Sequence, residues 1–143
     1  MGANIVNCNT PGGGQIAKTC NNMALAIQMV SVAEALAMAE KLGLDPNIMA
    51  SIMLNASSRC WSIDTYSPLP GVLNKKLPCD SDFDGGFQNE LLVKDLTIAI
   101  NSAKKCGAKI DAGQLALKLF TEMKEEGLAK KDIGIIYKKL KNL

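Results

Sequence analysis

Histidine is absent from all 143 residues, and arginine and tryptophan each occur once, as Arg59 and Trp61. Without an imidazole the commonest general base is missing, so any proton transfer falls to Lys, Asp, Glu, Tyr or Cys. The five cysteines, Cys8, Cys20, Cys60, Cys79 and Cys106, are odd in number and have no CxxC spacing. With no histidine to complete a zinc site, they read as free thiols in a reducing compartment, and no metal is expected. Aromatics make up only 4%, so the core has to come from Ala, Leu, Ile and Met. That mixture favours helices.

Charge is scarce where it is most informative. From Met1 to Ala33 the only ionisable Lys, Arg, Asp or Glu is Lys18. The net charge of +2 is too small to argue for nucleic acid, and the basic tail KKDIGIIYKKLKNL reads as a solvated helix face. The start MGANIVNCNTPGGG lacks the basic and apolar regions of a secretory signal. The longest uncharged helical stretch, Thr19 to Ala33, carries Asn21, Asn22 and Gln28 and is shorter than the roughly 20 apolar residues a bilayer requires. No membrane span is expected.

The length suits one domain with one core. After a short extended segment, NIVNC, the Pro and Gly of Thr10 to Gly14 predict a turn, and a helix is expected from Gln15 to Leu42. That helix is apolar on almost every face, which predicts that it is covered nearly all round. Gly43 then stops it, Asp45 caps the next helix and Pro46 opens it, with an end near Asn55. Ala56 to Gly86 is rich in Ser, Pro, Gly, Asp and Cys and reads as loop, and a long loop inside one domain is often functional. Helical periodicity resumes near Asn89 and closes at Gly107, returns and closes at Gly127, and ends in a short amphipathic helix over Lys131 to Leu140. The expected fold is all-α with about five helices, the first long and buried.

Three segments carry candidate chemistry. In PGGGQIAKTCNN, Lys18 and Asn22 are four residues apart, so on a helix they share a face beside the glycines. Desolvation lowers a lysine's pKa toward the range in which its amine accepts a proton, and an asparagine can hold that amine or a substrate oxygen. A surface lysine and a simple glycine turn are the plainer readings of the same residues. The glycines fit neither a dinucleotide fingerprint nor a Walker loop, because the strand and the GK-Ser/Thr contexts are missing. In GGFQNELLVKDL, Phe87 precedes a helix holding Lys94, which could equally be paired with Asp95. In SSRCWSIDTYSPLPG, Arg59 and Trp61 suit either a pocket wall or a packed loop.

Taken in this order, the three segments resemble the C-terminal domain of the 3-hydroxyisobutyrate dehydrogenases, within the wider β-hydroxyacid dehydrogenase family. The resemblance runs from about Cys8 to Leu140. The family's motif GxxGxGxxxKxxNN falls on NTPGGGQIAKTCNN, with Asn9 in place of the first glycine. The resemblance implies an all-α, multi-helix domain of the 6-phosphogluconate dehydrogenase-like type. It implies Lys18 and Asn22 as the catalytic pair, with Gly14, Asn22 and Trp61 at the substrate and Lys94 and Phe87 at an NAD cofactor. RCWSIDTYSPLPG is similar to the members acting on 3-hydroxyisobutyrate. On this reading residues 1–14 are a linker from a missing N-terminal Rossmann domain. Residues 15–143 are then the substrate-binding and dimerisation domain, inactive by itself.

The implied partners are a small β-hydroxyacid and a second copy of the chain. The implied place is the mitochondrial matrix in a eukaryote, where valine is broken down, and otherwise the cytoplasm. Two other readings stay open: a non-catalytic helical interaction module, and the same enzyme class acting on 3-hydroxypropionate or L-serine.

Overall fold

A computed structural model describes residues 5–142, so the first four residues of the expected linker lie outside it. Among the described residues the regular structure is helical: α1 (Gly13–Lys41), α2 (Pro46–Asn55), α3 (Trp61–Asp64), α4 (Asn89–Cys106), α5 (Asp111–Met123) and α6 (Ile136–Lys141). The all-α expectation is met. The expected loop from Ala56 to Gly86 holds two short turns, the single helical turn α3 and a 3₁₀ turn over Pro78–Ser81.

The helix boundaries follow local chemistry. Gly12, at φ 74°, turns the chain in the left-handed region, so α1 starts at Gly13 rather than Gln15. Asp45 accepts a hydrogen bond from the Asn47 amide at 2.8 Å and Pro46 occupies the first turn of α2, as the GLDPN stretch predicts. Gly107 closes α4 at φ 74°. α5 ends at Met123 and continues as one π turn to Leu128, with Gly127 at φ 87°. The last helix starts at Ile136, later than expected, because Asp132 caps a 3₁₀ turn over Ile133–Ile135 first.

α1 is the hub and packs against α2, α3, α4, α5 and α6. Its residues Ala26, Met29, Val30, Ala33, Leu36 and Ala37 are buried, one broad stripe recurring at three and four. The first turns behave differently. Gly14, Gln15, Ala17, Lys18 and Asn21 are exposed and Ile16 is 58% exposed, and past Ala26 the helix still exposes Ser31, Glu34 and Met38, so the expected all-round burial gives way to one buried face that is fullest from Ala26 onward. The reason is reach: the core of Leu36, Leu92, Leu96, Phe120 and Ile136 forms around the C-terminal half of α1. By length and composition α1 is also apolar enough to cross a bilayer, which the shorter window read from the sequence did not show. Of that apolar stretch 44% is buried inside the protein.

The basic tail is paired within the chain. Lys131 binds Asp82 and Asp84, each at 2.9 Å, Lys138 binds Asp82 at 2.7 Å, and Lys141 binds Glu40 at 2.7 Å. Lys130 pairs with Glu90 and Lys139 with Glu126. Tyr137 adds a hydroxyl donated to Glu40 at 2.9 Å, tying α6 to α1. Pairs this exposed contribute little each, but together they turn the tail's charge inward on the protein's own acids.

Asp82 gives this cluster a pH dependence. Hydrogen bonds from Lys138 and then Lys131 pull its carboxyl from 3.8 down to about 2. A carboxyl that is more acidic folded than unfolded stabilises the fold above its unfolded value and loses that contribution as the pH falls through the folded one. Thermal melts of the wild type should therefore drop between about pH 4 and pH 2. Asp82→Asn should melt lower at pH 6 and show a shallower drop. Parallel curves for the two proteins would contradict this.

Candidate functional site

The N-terminal half of α1 lies beside α4, and between them is a groove of about 730 Å³ that continues to the α4–α5 connection at Ala108 and Ile110. Lys18 and Asn22 reach it from α1, one helical turn apart, and Lys94 and Asp95 reach it from α4. Its remaining wall is mainly apolar, with Met23, Ile98 and Ala99 among the residues. Apolar walls with a few convergent polar groups are the usual make-up of a small-molecule site.

The polar groups are ordered by one buried-side contact. Asn22 donates its Nδ2 to Asp95 Oδ2 at 2.7 Å across 73 residues of chain. The other Asp95 oxygen is 4.0 Å from Lys94 Nζ, while the Lys94 side chain is 63% exposed and free to turn toward a ligand.

The three consecutive glycines divide their work. Gly12 makes the left-handed turn, and a side chain at Gly13 would meet Cys8 Cβ at 2.6 Å. Gly14 has nothing within 4 Å of where a Cβ would be, so the chain's own packing does not call for a glycine there. Gly14 and Lys18 line a second, shallower groove of about 560 Å³ beside the first, which places Lys18 on the border of both.

Trp61 and Phe87 are not among the residues of either groove. Trp61 begins α3 and stacks on Tyr66 with centroids 4.9 Å apart and planes at 11°. Tyr66 donates its hydroxyl to Asp132 Oδ2 at 2.6 Å, and the Phe87 amide donates to the same oxygen at 2.8 Å. Asp132 Oδ1 accepts from the Gly134 amide at 2.8 Å, and the side chain is 1% exposed. Burial raises the Asp132 carboxyl above the usual range against the pull of these donors, and burial followed by the Asp132 charge raises the Tyr66 hydroxyl. The sequence thus put in one site what the structure holds in two clusters. The α1–α4 groove contains Lys18, Asn22 and Lys94, and a buried Asp132 latch organises Trp61 and Phe87.

Asp95 and Asp132 are the residues whose roles sequence reasoning missed. In the sequence Asp95 shows only as a neighbour that could pair with Lys94. Asp132 had a visible signal, as the one acid in a lysine-rich tail, directly before the apolar run IGII. All five cysteines are free; Cys79 is buried, its thiol pushed up to about 11 mainly by that burial. No three His, Cys, Asp or Glu side chains among the described residues converge as a metal site.

Comparison with known proteins places the chain in a family. Residues 12–140 match a family model described as the NAD-binding domain of NADP-dependent 3-hydroxyisobutyrate dehydrogenase. The mitochondrial 3-hydroxyisobutyrate dehydrogenase of Homo sapiens is 43% identical over 99% of this chain. The probable mitochondrial enzyme of Dictyostelium discoideum is 41% identical over 96%. The chain spans 42% of the length of each of these relatives. Among solved structures, the Mycobacterium tuberculosis 3-hydroxyisobutyrate dehydrogenase with L-serine superposes with a TM-score of 0.89 at 34% identity, over 95% of this chain and 46% of that one. A Salmonella typhimurium protein of the same name shares the fold, with a TM-score of 0.78 at 24% identity over 91% of this chain and 43% of that one. The chain therefore belongs to the NAD-binding helical domain family of the 3-hydroxyisobutyrate dehydrogenases.

Proposed function

We propose that this chain is the substrate-binding and dimerising part of an NAD-dependent dehydrogenase that oxidises 3-hydroxyisobutyrate in valine breakdown, with Lys18 as the general base. The observation that carries the proposal is the convergence of Lys18, Asn22 and Lys94 on one apolar-walled groove from two helices. The donor set fits the ligands: two lysine amines and an amide suit a carboxylate substrate and an anionic dinucleotide, and the apolar wall suits a flat ring. The fold is that of the 6-phosphogluconate dehydrogenase-like helical domains, with residues 1–14 leading from a Rossmann domain and residues 15–143 forming the helical part.

When bound, the dinucleotide supplies the hydride acceptor. Lys18 Nζ, as the unprotonated amine, takes the proton of the substrate hydroxyl. Asn22, one turn along α1, holds that hydroxyl and the lysine in register, and the exposed backbone at Gly14 permits close approach of the substrate. Lys94 on α4 holds the cofactor through its charge. Trp61 and Phe87 belong to the substrate and cofactor sides respectively, at the Asp132 cluster rather than in the groove. The exposed apolar residues Ile16 and Met38 of α1, with Leu42 directly after it, provide the surface for a second copy. In a eukaryote the place of action is the mitochondrial matrix, and elsewhere the cytoplasm. Against 3-hydroxypropionate the discrimination rests on one methyl, worth only about 1 to 3 kcal/mol in an apolar pocket, whereas L-serine sets a charged ammonium in the methyl's place.

Lys94→Ala in the full-length protein tests the cofactor side. NAD affinity should fall about tenfold or more, as for loss of a contact to a charged group, while kcat at saturating NAD changes little. Isothermal titration with NAD and steady-state rates separate the two. Unchanged NAD affinity would remove Lys94 from the cofactor site.

A further inference from the structure

The contact between Asn22 and Asp95 constrains more than the distance between two helices. A carboxylate only accepts hydrogen bonds, so the end of the Asn22 amide facing Asp95 has to be Nδ2, as found at 2.7 Å. The opposite end, Oδ1, is then fixed as the end turned away from Asp95. Its own partner among the described residues is a long 3.4 Å contact from the neighbouring Asn21 amide. Asn22 is therefore left with an Oδ1 that is free to accept from a group in the groove, beside the second Nδ2 proton. An acceptor is what a hydroxyl, or a lysine amine that has just gained a proton, needs beside it. Asp95 is well placed to hold this arrangement, since its side chain is only 12% exposed.

We infer that Asp95 is a positioning residue, which locks the orientation of the Asn22 amide so that its oxygen faces the reacting groups. The inference rests on the proposed role of Lys18 and Asn22. It also explains why Lys94 and Asp95 are adjacent: one residue of α4 reaches the cofactor and the next sets the amide on α1.

The test compares Asn22→Ala, Asp95→Ala, Asp95→Asn and the Asn22→Ala/Asp95→Ala double variant in the full-length protein. Asp95→Ala should lower kcat roughly tenfold to 100-fold, the scale of a misplaced catalytic contact, with NAD affinity unchanged. Asp95→Asn keeps an oxygen acceptor for Nδ2 but adds a donor that Oδ1 of a flipped Asn22 amide can accept, so kcat should recover only in part, to a value between Asp95→Ala and wild type. The double variant should be scarcely slower than Asn22→Ala, because the two residues act as one unit. An Asp95→Asn variant as slow as Asp95→Ala, or losses that multiply in the double variant, would overturn the inference. A harmless Asp95→Ala beside a damaging Asn22→Ala overturns this inference alone, whereas normal turnover in Asn22→Ala removes the proposed role of Asn22 and this inference with it. Nitrogen-15 NMR of the Asn22 side-chain amide provides a readout without turnover. One amide proton should be shifted downfield in the wild type and in Asp95→Asn, and a free-amide position in the folded wild type would also overturn it.

Discussion

Replacing Lys18 with methionine in the full-length protein should lower kcat at least about 100-fold, the lower range for loss of a general base, while NAD affinity stays within about twofold. Methionine keeps the length and apolar stem of lysine and removes only the amine. From Met1 to Ala33 the chain has no other Lys, Arg, Asp or Glu and no histidine anywhere, and Lys94 and Asp95 reach the groove from α4 with roles of their own. The fold should be indifferent to the change. Lys18 is exposed on α1, and its amine takes part in none of the salt bridges among the described residues. Exposed positions of this kind usually alter stability by less than about 0.5 kcal/mol, so equal melting temperatures would assign the loss to chemistry. Near-normal turnover would remove Lys18 from the mechanism.

Gly86→Ala should be the most damaging single change to the fold outside the helices, by about 3 kcal/mol or more. Gly86 sits at φ 62°, and a Cβ there would run into Asp132 Oδ2, the Tyr66 hydroxyl and Pro78 Cγ. None of the three can yield cheaply. Asp132 is buried and holds Tyr66, Phe87 and Gly134 at once, so moving it strands a buried charge. Gly43→Ala is the control, since Gly43 also has a positive φ, 87°, but open space around it. That variant should lose only about 1 kcal/mol. Thermal melts of the two variants should differ by several degrees, with Gly86→Ala the lower. Equal melting temperatures would mean that the Asp132 latch can rearrange freely.

What the sequence made legible was local. Gly43, Asp45 and Pro46 each act within a few residues through backbone geometry or a short hydrogen bond, and α2 begins where they put it. Gly107 closes α4 for the same reason. Lys18 and Asn22 share a face because helical spacing alone decides it. The parts that were not legible depend on partners far along the chain. Asn22 meets Asp95 73 residues on, and Tyr66 meets Asp132 66 residues on. No periodicity records such pairings. The burial of α1 misled for a related reason, since its apolar composition is uniform while the helices that cover it gather around the C-terminal half. Phe87 is tied through its amide to Asp132 in the tail, and Trp61 stacks on Tyr66, which bonds the same carboxylate, and no spacing in the sequence records either link.

The most direct test of the account is NADH formation by the full-length protein, followed by absorbance, with 3-hydroxyisobutyrate, 3-hydroxypropionate and L-serine supplied in turn. NADH formation should have its highest kcat/KM on 3-hydroxyisobutyrate, fall at least about 100-fold in Lys18→Met, and not occur at all with the 143-residue chain alone. No NADH from the full-length protein with any of the three would contradict it.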